Sequence, residues 1–445
     1  MTAPVLLGGI DVFHLMNDRA MRARGLAGNH CLFVVELAGR LDLARLQARL
    51  DRAVAAVPEL RWRLDAGPLG VGRPRWVVDP VRGAPTASLR EVSGDAELAA
   101  RIEALLAVRV DGERPWAFDL LRRPGGGDVV ILRHFHALVD ARGADRLVAW
   151  LGSGDGDGPE DPPPPEERFE VSERPLAPLD RDARLALAGA YRAHVLALGR
   201  TPILSLASAA RPGAAPGDPR VLRLELSPDE TRVFDRRVRE RARLSESSLM
   251  VIAATHLAHR ALRARGFAPP QHVIPVPVSL DPKAGARRLR GNPLTMLMLS
   301  LRAEELDDEP RAIARIAEQQ RTAVRERLDL GMLAALDIAR WLPTAAYRWL
   351  GAQPFRGELA SLIFSNPGPV TIASFAGVPV TAAYPLPTVV SPPGFQVIFS
   401  RFAGRLSASI VAAGGVLRQG EGAAMAEALR AALLGEAGAT GARTV

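Results

Sequence analysis

His136 and Asp140 stand four residues apart in VVILRHFHALVDARGADRLVAWL (Val129 to Leu151), where an apolar, strand-like run ends and an amphipathic helical pattern begins. A histidine leaving a strand has a fixed backbone. Its near-neutral pKa suits it to take a proton from a hydroxyl, amine or thiol nucleophile, with Asp140 placed to hold the loop or the ring. By itself the spacing favours the plainer reading, a core histidine beside a solvated aspartate, so the surrounding elements must decide.

CLFVVEL (31–37) and VVILRHFH (129–136) have the composition of buried strands. Between them Leu43, Leu46, Leu50 and Val54 recur at helical spacing behind Asp42, a capping residue, which predicts an amphipathic helix beneath a sheet. Gly152 to Pro175 is too rich in glycine, proline and acids to build a core and reads as a linker. A helix around Asp182 to Leu198 and a second break at Arg211 to Pro219 follow, before the strand RVLRLEL and helices over Pro228 to Arg241 and Ser245 to Arg265. The expected division is a lobe over 1–151, a linker with one helix over 152–219 and a second lobe over 220–445. His256 and His259 have an i, i+3 spacing that can ligate a metal, but no third ligand supports it and no metal is expected.

Several further segments join the first motif in a recognisable order. HFHALVDA resembles the HHxxxDG motif of the coenzyme A dependent acyltransferase superfamily, shared by condensation domains of peptide synthetases. Arg114, Pro115 and Trp116 look like the element preceding that motif in the wax ester synthase/diacylglycerol acyltransferase family. Ile274 to Leu280 with Gly291 and Asn292 looks like its "PVSLR…GN" element, and Ser365, Asn366, Pro367, Gly368 and Pro369 look like "SNxpGP". Gly9 to Leu15 (GIDVFHL) and Pro58 to Leu64 (PELRWRL) are also similar, so the resemblance covers nearly the whole chain. Two positions depart from the pattern: Phe135 replaces the first histidine, with His134 shifted by one, and Ala141 replaces the glycine, whose backbone freedom a methyl group restricts.

The resemblance implies an α/β (α+β), chloramphenicol acetyltransferase-like fold: two similar lobes of mainly antiparallel sheet backed by helices, with a tunnel between them and the HxxxD loop at its centre. It implies that His136 is the general base and that Asp140 has a structural role, pairing with an arginine so that the loop keeps His136 aimed. Asn292, Ser365, Asn366 and Gly368 are, by position, the expected substrate contacts of the second lobe. The implied reaction moves an acyl group from a coenzyme A thioester, a co-substrate rather than a bound cofactor, to a hydroxyl acceptor such as a lipophilic alcohol or diacylglycerol. Two alternatives stay open: a free-standing condensation-type enzyme using an acyl carrier protein thioester, and a non-catalytic member, for which Phe135 and Ala141 speak.

Leu359 to Ser400 contains no charged side chain, and its seven prolines forbid a membrane-spanning helix; it reads as buried strands and tight loops, with tunnel lining as a second use. Gly331 to Phe355 reads as an interlobe helix broken at Pro343, although Trp341 and Trp349 beside Arg340 and Arg348 are also the residue types of interfacial anchors. Peripheral membrane contact is thus a second expectation for that segment.

Composition limits the partners. With 48% hydrophobic and 24% charged residues the 445-residue chain is of globular type. Its net charge of +8 is almost wholly arginine, Lys283 being the only lysine, and no basic block carries interleaved aromatics, so no nucleic-acid partner is expected. The arginines could attract coenzyme A phosphates or an anionic membrane. Cys31 is the only cysteine and lies in a predicted strand, which points to a core thiol and a reducing cytoplasm. The N-terminus lacks a basic segment ahead of a long apolar one, so no signal peptide is expected. No GxSxG elbow is present, which argues against a hydrolase with a serine nucleophile.

Overall fold

A computed structural model describes residues 4–66, 74–160, 174–210, 218–242, 245–280 and 291–435. Most of the expected 152–175 linker, and residues 211–217 of the second break, lie outside them. The first half runs β1 (Val5–Leu6), α1 (Gly9–Arg22), β2 (His30–Leu37), α2 (Leu43–Ala56), β3 (Trp62–Asp65), β4 (Arg75–Val78), β5 (Ala87–Glu91), α3 (Asp95–Ala107), β6 (Trp116–Arg122), β7 (Val129–Phe135) and α4 (Ala141–Leu151). After α5 (Arg181–Leu198) come β8 (Arg220–Glu225), α6 (Pro228–Arg241), α7 (Glu246–Ala264), β9 (Gln271–Ser279), β10 (Leu294–Arg302), α8 (Ala303–Leu306) and α9 (Glu309–Arg325). The chain closes with α10 (Leu328–Ala339), α11 (Thr344–Ala352), β11 (Ile363–Ser365), β12 (Ser374–Phe375), β13 (Val378–Pro387), β14 (Phe395–Phe402), β15 (Arg405–Ala412) and α12 (Glu421–Leu434).

The fold is α/β with two lobes of mainly antiparallel sheet. The first sheet has the order β12-β13-β2-β7-β6-β5, antiparallel except for β5 with β6. The second has the order β11-β14-β15-β8, antiparallel except for β11 with β14. Central strand β7 is buried along its whole length, which is why it reads as an unbroken apolar run rather than an alternating one. On one side of the sheet Phe33, Val35, Val130 and Leu132 pack with Leu46 and Leu50 of α2, a helix that Asp42 caps through Ala44 N at 2.9 Å. On the other, Leu32, Val34 and Ile131 meet Leu98, Ile102 and Leu105 of α3. Each such fully buried aliphatic side chain contributes about 1.5–3 kcal/mol.

The lobes share strands and ion pairs. β13 belongs by sequence to the second half, yet it pairs with β2, Tyr384 opposite Val34 and Leu386 opposite Leu32. Arg223 of β8 lies over the Tyr384 ring at 4.0 Å and reaches Glu36 at 3.6 Å, where Arg123 also binds at 2.6 Å. The Gly331–Phe355 segment is broken as its proline suggests: α10 ends at Ala339 and Pro343 stands before α11. Met332 and Leu333 are buried against Ile10, while Trp341 and Trp349 are 51% and 64% exposed. Gly9 permits this packing, since a Cβ there would lie 2.9 Å from Asp337 N on α10. No helix among the described residues is long and apolar enough to cross a membrane.

Arg49 of α2, fully buried, donates to the carbonyls of Leu151 (2.7 Å), Ser153 (2.9 Å), Gly154 (3.0 Å) and Gly156 (2.5 Å), closing the end of α4. Arg49→Leu, similar in buried bulk, leaves those acceptors unpaired and is expected to lower unfolding stability by about 3 kcal/mol, measured by urea denaturation. Wild-type stability in that variant would show that the cap does not matter.

Candidate active site

β7 delivers His136 to the boundary between the lobes and fixes it from both sides. Its amide donates to Asn29 O (3.2 Å), one step past the ladder with β2, and Leu138 N turns back to Phe135 O (3.0 Å). Three residues with no exposed surface follow, Ala137, Leu138 and Val139. Asp140 then starts α4 by accepting from Gly143 N at 2.7 Å. Ala141 opens the helix and is not among the residues with positive φ, so glycine's freedom is not needed there.

The second half of the chain closes the loop from outside. Gly291 N donates to Leu138 O at 2.7 Å, and Asn292 Nδ2 donates to both His136 O and Asp11 Oδ1 at 2.9 Å. Asn292 is buried and is not among the residues lining the cavity below; its amide holds the histidine loop to α1. Arg142, on the first turn of α4, donates to Pro367 O (2.8 Å) and Ser279 Oγ (2.9 Å), tying α4 to the SNPGP turn. Asn366 Oδ1 accepts from Gly368 N at 3.2 Å, and Gly368 has φ +92°, the left-handed region where glycine is required. Ser365 and Asn366 line the cavity; Gly368 shapes the turn without lining it.

A cavity of about 610 Å³ lies between the lobes, with His136, Asp140, Ala141 and Arg142 in its wall. Much of the rest is apolar: Met296, Met298 and Met332, Pro275 and Pro277, and, from the uncharged 359–400 run, Ile363 and Ile398. Leu185 and Leu196 of α5 and Ile338 of α10 line it while remaining 36–46% exposed, which puts its mouth beside the α10–α11 corner. The size and lining are those of a small-molecule site.

Electrostatics keeps the histidines here neutral. Burial lowers the pKa of His136 below 6.5, its own main chain and Asn292 working the other way. His14 of α1 stacks on it with ring centroids 3.8 Å apart and 18° between planes, and is lowered well below 6.5 by burial and then by His136. His134 is not in the wall. It sits in the sheet opposite Cys31 and Trp116, fully buried and likewise shifted far down. Phe135 faces the core edge-on to Trp76 at 6.3 Å, so position 135 is a packing position in this chain. Cys31, buried but in the wall of the cavity, has its thiol pushed up by burial, with the Asp140 charge adding to it. His259 Nδ1 meets His272 Nε2 at 2.9 Å, and among the described residues no group of three or more His, Cys, Asp or Glu is gathered to hold a metal.

Sequence reasoning missed His14, Asn29 and Arg142. A signal was present: Asp11, His14 and Asp18 share one face of α1 at i, i+3 and i+7, and both acids are buried.

With this geometry in view, residues 290–431 match the WS/DGAT C-terminal domain family. Proteins of Mycobacterium tuberculosis named as diacylglycerol O-acyltransferases are 30% identical over 172 residues, 36% of this chain and 33% of theirs, so the match spans about a third of the length of these curated relatives. Among solved structures, the first condensation domain of the calcium-dependent antibiotic synthetase superposes with a TM-score of 0.71 at 17% identity, covering 98% of each chain. The wax ester synthase/diacylglycerol acyltransferase of Marinobacter aquaeolei VT8 gives 0.62 at 15% identity, over 98% of this chain and 100% of that one. These two likenesses establish the fold.

The buried histidines make stability depend on pH. His30 is lowered to about 4 and His272 to about 3, and His14, His134 and His136 move the same way, whereas the unfolded chain binds protons near 6.5. The unfolded state therefore takes up more protons below pH 6.5, and stability present above that value is lost as pH falls toward about 4. Urea midpoints are expected to fall steadily from pH 7 to 5, less steeply in His134→Leu; midpoints unchanged over that range would contradict the burial of neutral imidazoles.

Proposed function

We propose that this chain, whose residues 290–431 match the WS/DGAT C-terminal domain family, is a coenzyme A dependent acyltransferase that moves an acyl group from coenzyme A thioesters to the hydroxyl of a lipophilic alcohol or diacylglycerol. The observation that carries this reading is a neutral, conformationally fixed imidazole, His136, in the wall of a largely apolar cavity between two lobes. With Nδ1 buried, Nε2 is left to meet the acceptor. It removes the hydroxyl proton as the oxygen attacks the thioester carbonyl. When the tetrahedral intermediate collapses, the imidazolium returns that proton to the departing thiolate, giving an ester and free coenzyme A. Asp140 and Asn292 fix the loop, and no residue nucleophile is involved. The chain needs no resident cofactor for this chemistry.

The test is acceptor-dependent thiol release from acetyl-, octanoyl- and palmitoyl-CoA, with hexadecanol or diacylglycerol. The long donors are expected to be favoured, because each methylene buried in the cavity contributes about 0.8 kcal/mol. His136→Ala is expected to lower turnover by at least ~10² with the fold intact. Near-normal transfer by that variant would remove His136 from the mechanism. Turnover only with an acyl carrier protein thioester would move the chain to the condensation-type reading, and release from no donor would make it a binding protein.

We propose also that the face around the cavity mouth rests loosely on anionic membranes. Trp341 and Trp349 are exposed, and Arg340 lies 5.4 Å from the Trp341 ring. Co-sedimentation with phosphatidylglycerol vesicles is expected at low salt, weakening as salt rises and lost in Trp341→Ala/Trp349→Ala. A wild-type protein that stays in the supernatant would show that lipophilic acceptors reach the cavity by another route.

A further inference from the structure

The doubled-histidine pattern has an imidazole at the position held here by Phe135, whose ring is turned into the core. A second imidazole nevertheless lies on His136, brought from 122 positions earlier in the chain by helix α1: His14, stacked nearly parallel at 3.8 Å. We propose that His14 is a positioning residue, a flat platform that holds the plane of the His136 ring for acyl transfer. The inference rests on the reading of His136 as the base.

A catalytic imidazole is ordinarily oriented by a hydrogen bond on the nitrogen that does not react. His136 Nδ1 is buried and makes no hydrogen bond of good geometry within the described residues, its own main chain and Asn292 being the polar groups that act on it, so the face of the ring is where a further restraint can be applied. His14 is able to supply it because it is itself anchored. Its Nδ1 lies 3.2 Å from Asn29 Nδ2, which also donates to His14 O at 3.1 Å. With Asn29 donating, His14 Nδ1 is the acceptor and the ring proton sits on Nε2. Asn29 is fixed in turn, its amide donating to Asp18 Oδ1 at 3.0 Å and Asp18 pairing with Arg22. Gly28 makes that approach possible: its φ is +111°, and a Cβ would lie 2.3 Å from the Asp18 carboxylate. The carbonyl of the same Asn29 receives His136 N, so base and platform hang from one residue. Two imidazoles this close disfavour a second charge, and burial keeps His14 uncharged, which preserves the stack around a base that must itself start neutral.

The experiment compares wild type, His14→Ala and His14→Phe, the last keeping a flat ring without its nitrogens. Steady-state kinetics with palmitoyl-CoA and hexadecanol is expected to show kcat reduced on the order of 10-fold in His14→Ala with KM little changed, and largely restored in His14→Phe. In parallel, imidazole resonances of ¹³C,¹⁵N-histidine-labelled protein, recorded without substrate, are expected to broaden for His136 in His14→Ala and to stay sharp in His14→Phe. If His14→Ala does not fold, Asn29→Ala frees the platform without touching either ring and is expected to act in the same direction. A folded His14→Ala protein with wild-type kcat and sharp His136 resonances would overturn the inference, as would equal losses in the Ala and Phe variants. A wild-type chain that transfers no acyl group would overturn the proposed reaction, while the resonances would still decide the stack.

Discussion

Everything at the cavity depends on one clamp, in which Gly291 and Asn292 from the second half of the chain hold the main chain at Leu138 and His136 from the first. A loop leaving a buried strand has main-chain groups that must be paired, and this one finds its partners across the lobe boundary rather than in its own sheet. The His136 imidazole therefore has its place only when both lobes are assembled. Asn292 couples the clamp to α1 through Asp11, whose other carboxylate oxygen accepts from Gly8 N at the start of that helix. One buried amide thus joins the His136 loop, the helix bearing His14 and the strand pair β9–β10.

Arginine supplies much of the remaining lobe-to-lobe and helix-end pairing, which gives the charge of +8 a structural meaning. Arg401 is held between Asp235 (2.6 Å) and Glu246 (2.9 Å), and Glu246 in turn accepts from Asn366 of the SNPGP turn. Arg265, almost without exposed surface, binds Glu421 and the Val416 carbonyl, and Arg49 caps α4 by carbonyls alone. A planar fork with five donors can satisfy several acceptors at fixed angles where a lysine would satisfy one or two. An arginine-rich surface is therefore a poor guide to nucleic-acid binding here.

Much of the local structure was legible because its causes are local. Asp42 caps α2 and the apolar stripe behind it faces the sheet; RVLRLEL and the helices after it lie where spacing puts them. The motif pointed to His136 and to a structural role for Asp140, but as an arginine pair rather than as the helix cap. What could not be read is what depends on distant partners. No pattern within Val378 to Pro387 distinguishes a strand of its own lobe from one that joins β2, about 350 residues earlier, because both settings bury the same apolar run. The direction in which Asn292 points is likewise decided by Asp11, which sequence adjacency does not reveal. His14 lay inside a quoted landmark, and only the paired buried acids on its helix face marked it as more than a helix residue.

The central claim is that the thioester is opened against a neutral His136 inside the interlobe cavity. A crystal structure with the unreactive thioether analogue of palmitoyl-CoA tests it most directly. The account predicts an alkyl chain lying among Met296, Met298 and Met332, with its sulfur end beside His136 and the Asn292 clamp closed. An analogue bound elsewhere on the protein, or one that enters only with the His136 loop displaced from Asn292, would contradict it.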